Sequence, residues 1–386
     1  MHETDVCIIG AGPAGTVASM FLSKNGIKHV VLERAQFPRD KVCGEFYDGR
    51  VRNVLNKLDE TLMPRMQERH IIQDIHHYYI YNAKLNEIGF DATSNARIST
   101  VRSRFDDYLL AETLKSPYVT YFDNTQVEDI NISSEAVHIT ARNRKKEITA
   151  KMVIAATGSK SALAQKLVPH NKHGDHFLLA ARGYYTGLPH NGKTNCCRLV
   201  LLKMPVPCYL GTVDLPGGLS LVEVFVLKRH ATSYNINPKV LLQQIIHEHK
   251  PLSKLFEHAV LYGSLRGASL PLTTGKGVIS GERVLLAGDS AYNINPLTGL
   301  GVGRAVYSGM CAAEQCIKAL QAGDFSAAAL REYDERVYRV FKADNRTGIF
   351  GDFVLKDIYK LPHRLISLVS SSPYLKRQAT NILNKF

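Results

Sequence analysis

Asp5-Val6-Cys7-Ile8-Ile9-Gly10-Ala11-Gly12-Pro13-Ala14-Gly15 stands at the start of the chain, and Val30-Val31-Leu32-Glu33-Arg34 follows a helix-like run. Cys7, Ile8 and Ile9 read as a buried parallel strand. Gly10 permits a tight turn. Gly12 leaves the backbone bare for a pyrophosphate, and Gly15 lets the next helix pack closely on the strand. Pro13 and Ala14 complete the turn, and the positive end of the helix then faces the phosphates. Glu33 comes eighteen residues after Gly15, where an acid binds a ribose 2′-hydroxyl, and Arg34 adjoins it. Strand, glycines, helix and acid together predict a βαβ unit holding an ADP-containing dinucleotide.

The bulk properties narrow the classes. A chain of 386 residues suggests about two to three domain-sized units. Hydrophobic residues make up 45%, which allows a large core and excludes global disorder. No apolar run reaches the ~18 residues that span a bilayer. The first strand begins almost at once, which predicts no signal peptide and a cytoplasmic protein. The seven cysteines show neither zinc-ligand spacing nor a disulfide framework. A net charge of +13 suits an anionic partner, but the basic residues are dispersed. The longest cluster, Arg142-Asn143-Arg144-Lys145-Lys146, falls between two strand-like runs and reads as a solvated hairpin tip. No zinc-finger or helix-turn-helix pattern is present, so no nucleic-acid partner is expected.

Further along, the pattern changes several times. Residues 49–69 carry Val51, Val54, Leu55, Leu58, Leu62 and Met66 at helical spacing. From His76 to Asp91 the pattern is aromatic and alternating, and Phe177 to Leu227 is strand-rich. Val284 to Asp289 is a buried strand entering a turn, followed by a small-residue helix and a basic, helical C-terminal third. The fold class expected is α/β: a discontinuous Rossmann-like cofactor domain with an inserted β-rich substrate domain and a helical C-terminus. The cofactor domain takes residues 1–75, 95–165 and 275–345, and the substrate domain 76–94 and 166–274. Residues 346–386 form the C-terminal segment.

Three stretches converge on a family. They are the N-terminal glycine turn with Glu33, Arg102-Ser103-Arg104-Phe105-Asp106 at a helix start, and Ala287-Gly288-Asp289-Ser290-Ala291 with Pro296-Leu297-Thr298-Gly299-Leu300-Gly301. Together they resemble the p-hydroxybenzoate hydroxylase flavoprotein superfamily, and within it the geranylgeranyl-reductase-like branch. The resemblance implies FAD. It implies that Asp289 accepts a hydrogen bond from a ribityl hydroxyl, and that Pro296, Gly299, Leu300 and Gly301 bring bare backbone to the isoalloxazine and pyrophosphate. It also implies that Arg102 approaches the phosphates and that Val127 contacts adenine through its backbone. NAD(P)H is implied as electron donor, docking transiently, because no second complete dinucleotide motif is present. Thr157 stands where the family's mid-chain Asp-Gly motif has aspartate.

Arg39-Asp40-Lys41-Val42-Cys43-Gly44 resembles the Cys-Gly segment of geranylgeranyl reductases, in which the cysteine lies near the flavin. The leading reading of Cys43 is a small buried hydrophobe; the alternative is a proton donor or redox thiol whose pKa the flanking Lys41 and Arg39 would lower. Glu45 stands where the family often has a second glycine.

The activity expected is that of an FAD-dependent oxidoreductase on a lipophilic or aromatic small molecule. An NAD(P)H-driven monooxygenase leads, because the chain has no tryptophan and so lacks the reductases' Trp-containing signature. Saturation of carbon–carbon double bonds is the alternative. A halogenase or a non-catalytic FAD-binding protein ranks lower. Residues 353–386 alternate apolar and basic side chains, which suits either peripheral contact with an anionic membrane or a lid on the protein itself.

Overall fold

The first strand, His2–Ile9, carries Val6, Cys7, Ile8 and Ile9 buried on both faces, and it sits in the middle of a sheet as such a run requires. It pairs in parallel with His29–Leu32 on one side and with Lys146–Ala155 on the other. Val119–Phe122 and Val284–Leu286 extend the sheet in parallel at either end. Ser280–Gly281 and the antiparallel strands Val127–Ile132 and Val137–Ala141 complete eight strands. The helix Pro13–Lys24 packs against this sheet and against the small-residue helix Val302–Ala322. A Cβ on Gly309 would lie 2.2 Å from the Ala14 carbonyl oxygen, so the two helices touch backbone to backbone.

The computed structural model describes residues 2–91, 97–142, 146–159, 162–168, 177–189, 194–204, 206–273, 277–295, 298–357, 368–369, 371–375 and 377. Pro296 and most of the basic C-terminal segment lie outside these residues.

A second sheet of seven strands runs in the order Val260–Pro271, Phe177–Thr186, Ser220–Leu227, Pro207–Asp214, Cys196–Lys203, His77–Tyr81 and Glu87–Asp91. All its pairs are antiparallel except the one between Cys196–Lys203 and His77–Tyr81. Strand alternation gives the sheet two faces. Ala181, Val222 and Val224 face the helix Pro238–Glu248, packing with its Leu241, Leu242 and Ile245. The opposite face, with Tyr209, Glu223 and Phe225, turns toward the first sheet. A small sheet of Phe46–Tyr47, Arg97–Thr100 and Ile72–Ile75 lies between them in sequence.

One detail departs from the sequence pattern. The helical run 49–69 is two helices, Gly49–Leu58 and Leu62–Glu68. Asp59 breaks it because its carboxylate accepts the Thr61 backbone N–H at 2.8 Å and so competes with helix propagation. Near the C-terminus, Val369 packs against Ile80 and Leu201 of the second sheet, which is the contact expected of a segment folded onto its own chain. Among the described residues no helix is long and apolar enough to cross a membrane.

Candidate functional site

Between the two sheets lies one cavity of about 1750 Å³. It begins at the turn after the first strand. Gly10 has φ +105°, and a Cβ there would meet the Ala156 carbonyl oxygen at 2.4 Å, so no other residue fits. Gly12 is different: the nearest atom to its added Cβ is Arg39 Nη2 at 3.6 Å, so its backbone faces open space. Gly12 also caps the helix Pro13–Lys24, and no side chain caps the helix start. The unpaired N–H groups of the first turn therefore face the cavity, which Pro13 and Ala14 help to line. An open glycine cradle at a helix start fits a pyrophosphate.

At one end of the cavity stands Glu33. Its Oε2 accepts the Ala11 N–H at 2.8 Å and its Oε1 the Ala35 N–H at 3.0 Å, so two backbone donors fix the carboxylate. Arg34 and Val127 line the same end. Asp289, Gly299, Leu300 and Gly301 line the cavity beyond Gly12, and Gly299 holds φ +69°. Lys41 Nζ donates to Asp289 Oδ2 at 3.0 Å, tying the loop after the second strand to this turn. The residues present thus fit an extended dinucleotide with its adenylate end at Glu33 and Val127.

The position of Arg102 differs from the expectation. It borders the cavity, but its guanidinium is held two-pronged by Asp106 at 2.9 and 2.7 Å, and both residues are buried. Its charge is committed to that carboxylate because the two side chains are one helical turn apart. The cation over the glycine cradle is Arg39, which reaches Asp106 at 3.3 Å from the cavity side. Only the charge-rich loop that contains Arg39 hinted at it in the sequence.

Cys43 also lies on the cavity wall, and here the low pKa of the alternative reading is overturned. Burial pushes the thiol up, Arg102 pulls it down, and Glu45 pushes it up again, with a net rise. Lys41 and Arg39, its neighbours in sequence, are engaged with Asp289 and Asp106. Cys43 is therefore a protonated thiol at neutral pH, with a guanidinium at hand to stabilise the thiolate.

Beside it are two carboxyls that sequence reasoning did not single out as functional. Glu45 has φ +51° and is fully buried, and its Oε1 accepts the Arg102 backbone N–H at 3.1 Å and the Tyr184 hydroxyl. Burial pushes its carboxyl up to about 7. Glu223 is pushed up to about 8, by burial first and then by the charge of Glu45. The folded protein thus holds protons that the unfolded chain has already released. Stability is full below about pH 4.5 and falls by on the order of a few kcal/mol as pH rises through about 7 to 8. Denaturant midpoints at about pH 6 and about pH 9 should differ in this sense, and Glu223→Gln should flatten the difference.

The remaining wall is apolar and aromatic, with Ile80, Leu199, Leu201, Tyr209, Phe225 and Leu270. The cavity exceeds the ≈ 300–1,000 Å³ usual for one small ligand, which leaves room for a second molecule beside a dinucleotide.

Comparison with known proteins agrees with this geometry. Residues 3–177 match the family model described as FAD binding domain. The digeranylgeranylglycerophospholipid reductase of Thermoplasma volcanium is 25% identical over 364 residues, covering 87% of this chain and 84% of that one. A geranylgeranyl bacteriochlorophyll reductase-like structure from Thermoplasma acidophilum superposes with a TM-score of 0.82 at 21% identity, covering 98% and 96% of the two chains. The p-nitrophenol 4-monooxygenase of Pseudomonas putida gives 0.79 at 18% identity, covering 100% and 98%. The reductase name of the Thermoplasma volcanium relative sides with the double-bond-reduction alternative and not with the monooxygenase that led the sequence reading, while the two structures show the shared fold.

Proposed function

We propose, from the premise that this chain is an FAD-dependent oxidoreductase of the p-hydroxybenzoate hydroxylase-like superfamily, that it saturates carbon–carbon double bonds in the isoprenoid chain of a lipid. The observation that carries the proposal is the protonated Cys43 thiol, set beside the Arg102 guanidinium where the dinucleotide end of the cavity meets its apolar wall. Bound FAD, once reduced, supplies a hydride. The protein's own residues do the rest.

The first turn of Pro13–Lys24 and Arg39 would hold the pyrophosphate, Glu33 the ribose, and the Val127 backbone the adenine. Asp289 holds a ribityl hydroxyl, and the backbone of Gly299 to Gly301 meets the ring system. Leu199, Leu201, Ile80 and Leu270 align an aliphatic chain and exclude water. Cys43 gives its proton to the substrate carbon, and Arg102 stabilises the thiolate that remains. NAD(P)H or another two-electron donor would supply the electrons.

The test uses the purified FAD-loaded protein, reduced without oxygen and given a glycerolipid bearing geranylgeranyl chains. The product should gain one dihydrogen per double bond by mass spectrometry. Unchanged lipid, with the flavin still reduced, rejects the proposal. Cys43→Ala should slow the reaction by ~10²–10⁴-fold while flavin absorbance shows FAD still bound. The aromatic part of the wall, Tyr78, Tyr79, Tyr209 and Phe225, supports a second reading, hydroxylation of an aromatic ring. Under labelled oxygen that reading requires a labelled oxygen atom in the product.

A further inference from the structure

We infer that Glu45 and Glu223 form a carboxyl pair that keeps one shared proton and passes it to Cys43 after each turnover. The inference rests on the double-bond-reduction reading and adds the proton's source.

The fold builds the pair on purpose-shaped backbone. Glu223 lies directly across from Arg182 on one neighbouring strand and from Gly211 on the other. A Cβ on Gly211 would be 3.2 Å from Glu223 Cγ, and a Cβ on Gly44 would be 2.8 Å from its Oε1. Two glycines thus make the niche, and the second is the residue between Cys43 and Glu45. The left-handed backbone of Glu45 turns its carboxyl inward, while its own N–H donates to Cys43 Sγ at 3.4 Å. Thiol and both carboxyls therefore meet around one residue, Gly44.

Charge counting shows why the pair keeps a proton. The cations nearby are Arg102 from the helix Arg102–Thr113 and Arg182 from the strand Phe177–Thr186. Arg102 is paired to Asp106, and Arg182 donates to Asp40. Among the described residues, the other titratable groups facing the pair are neutral tyrosines and a thiol: Tyr184 and Tyr47 on Glu45, and Tyr209 and Cys197 on Glu223. Glu45 Oε2 is buried with no hydrogen-bond partner among the described residues. The charge of Arg182 favours ionisation of both carboxyls, but burial outweighs it, so the two neighbouring carboxylates cannot both ionise cheaply and a shared proton removes the repulsion.

The chemistry balances. The π bond opens as one carbon takes a hydride from the reduced flavin. The other carbon takes the proton of the Cys43 S–H bond, whose electron pair stays on sulfur. The thiolate takes the proton held by the carboxyl pair, and the pair takes one from solvent. The hydride would come from bound reduced FAD, and a two-electron donor such as NAD(P)H would supply the electrons for the next one.

Two measurements on the FAD-loaded protein test this. Infrared difference spectra across a pH step should show a protonated-carboxyl C=O band near neutral pH, reduced in Glu223→Gln to what Glu45 alone contributes. With the prenyl lipid, Glu223→Gln should keep the first turnover, made with the thiol already protonated, and slow later turnovers by about 100-fold with loss of the wild-type alkaline limb. Glu45→Gln should shift that limb, and Glu223→Asp should restore part of the rate. FAD content and melting temperature identify a variant that has failed to fold, and Glu223→Asp then carries the comparison. No band in a wild type that reduces the lipid overturns the pair alone. So does a Glu223→Gln enzyme whose first and later turnovers slow equally or not at all. A wild type that shows the band and leaves the lipid unreduced overturns the reduction reading, and the donor role with it.

Discussion

Gly15→Ala is expected to yield little folded, flavin-bearing protein. A Cβ at this position would lie 1.8 Å from the Gly10 carbonyl oxygen and 3.3 Å from Ile8 Cγ2. The first contact is with backbone, which cannot rotate away as a side chain would. Gly10 cannot retreat either. Its N–H is held by the Leu32 carbonyl at 2.7 Å, and Ala156 closes the other side. Relief therefore means moving the helix Pro13–Lys24 off the sheet, at a cost above ~4 kcal/mol, a large part of the ~5–15 kcal/mol that holds a typical domain together. Gly12→Ala is the contrast, since its Cβ meets only Arg39 Nη2 at 3.6 Å. In flavin-free form it should melt like flavin-free wild type and yet fail to take up FAD, because the methyl group occupies the phosphate cradle. Thermal midpoint and the flavin-to-protein absorbance ratio separate the two. Wild-type melting of Gly15→Ala would refute the packing argument.

That contrast also marks what the sequence made legible. The turn from Gly10 to Gly15 is a local motif, and each glycine's task follows from its place between strand and helix. Asp289 and the Gly299-to-Gly301 turn line the same cavity, but the roles expected of them rest on the family resemblance and not on local spacing. A lowered pKa for Cys43 was a misreading because proximity in sequence stood in for proximity in space. The charges of Lys41 and Arg39 go to Asp289 and Asp106, on distant parts of the chain. Glu223 was hidden in the run Leu221 to Leu227, where hydrophobic neighbours on both faces mask the alternation. Only the register with Arg182 and Gly211 shows that it faces the cavity. Glu45 looked like a departure from a glycine position. Its φ of +51° shows that the backbone keeps the glycine-like conformation while gaining a buried acid.

Arg102→Leu is expected to destabilise the protein by ~3–5 kcal/mol, because it strands the Asp106 carboxylate in a site with no access to water. If Arg102 served chiefly to contact cofactor phosphates, the same change would weaken FAD binding and leave the flavin-free protein's stability nearly unaltered. The geometry argues for the first outcome. The Nε and Nη2 donors of Arg102 are spent on Asp106, and Arg39 supplies only a single longer contact to the same carboxylate, at 3.3 Å. Denaturation of the flavin-free protein decides between them. Arg102→Leu combined with Asp106→Leu should cost less than Arg102→Leu alone, since removing both charges leaves no orphan, and the double-mutant cycle gives the coupling directly. Arg102→Lys should fall between, keeping the charge and losing the two-pronged geometry. The same guanidinium opposes the effect of burial on Cys43. In Arg102→Leu the thiol should therefore titrate at still higher pH, and thiolate absorbance or alkylation rate should follow that rise. A stability loss and a rise in thiol pKa appearing together would place Arg102 as the link between the helix that carries Asp106 and the acid that protonates the substrate.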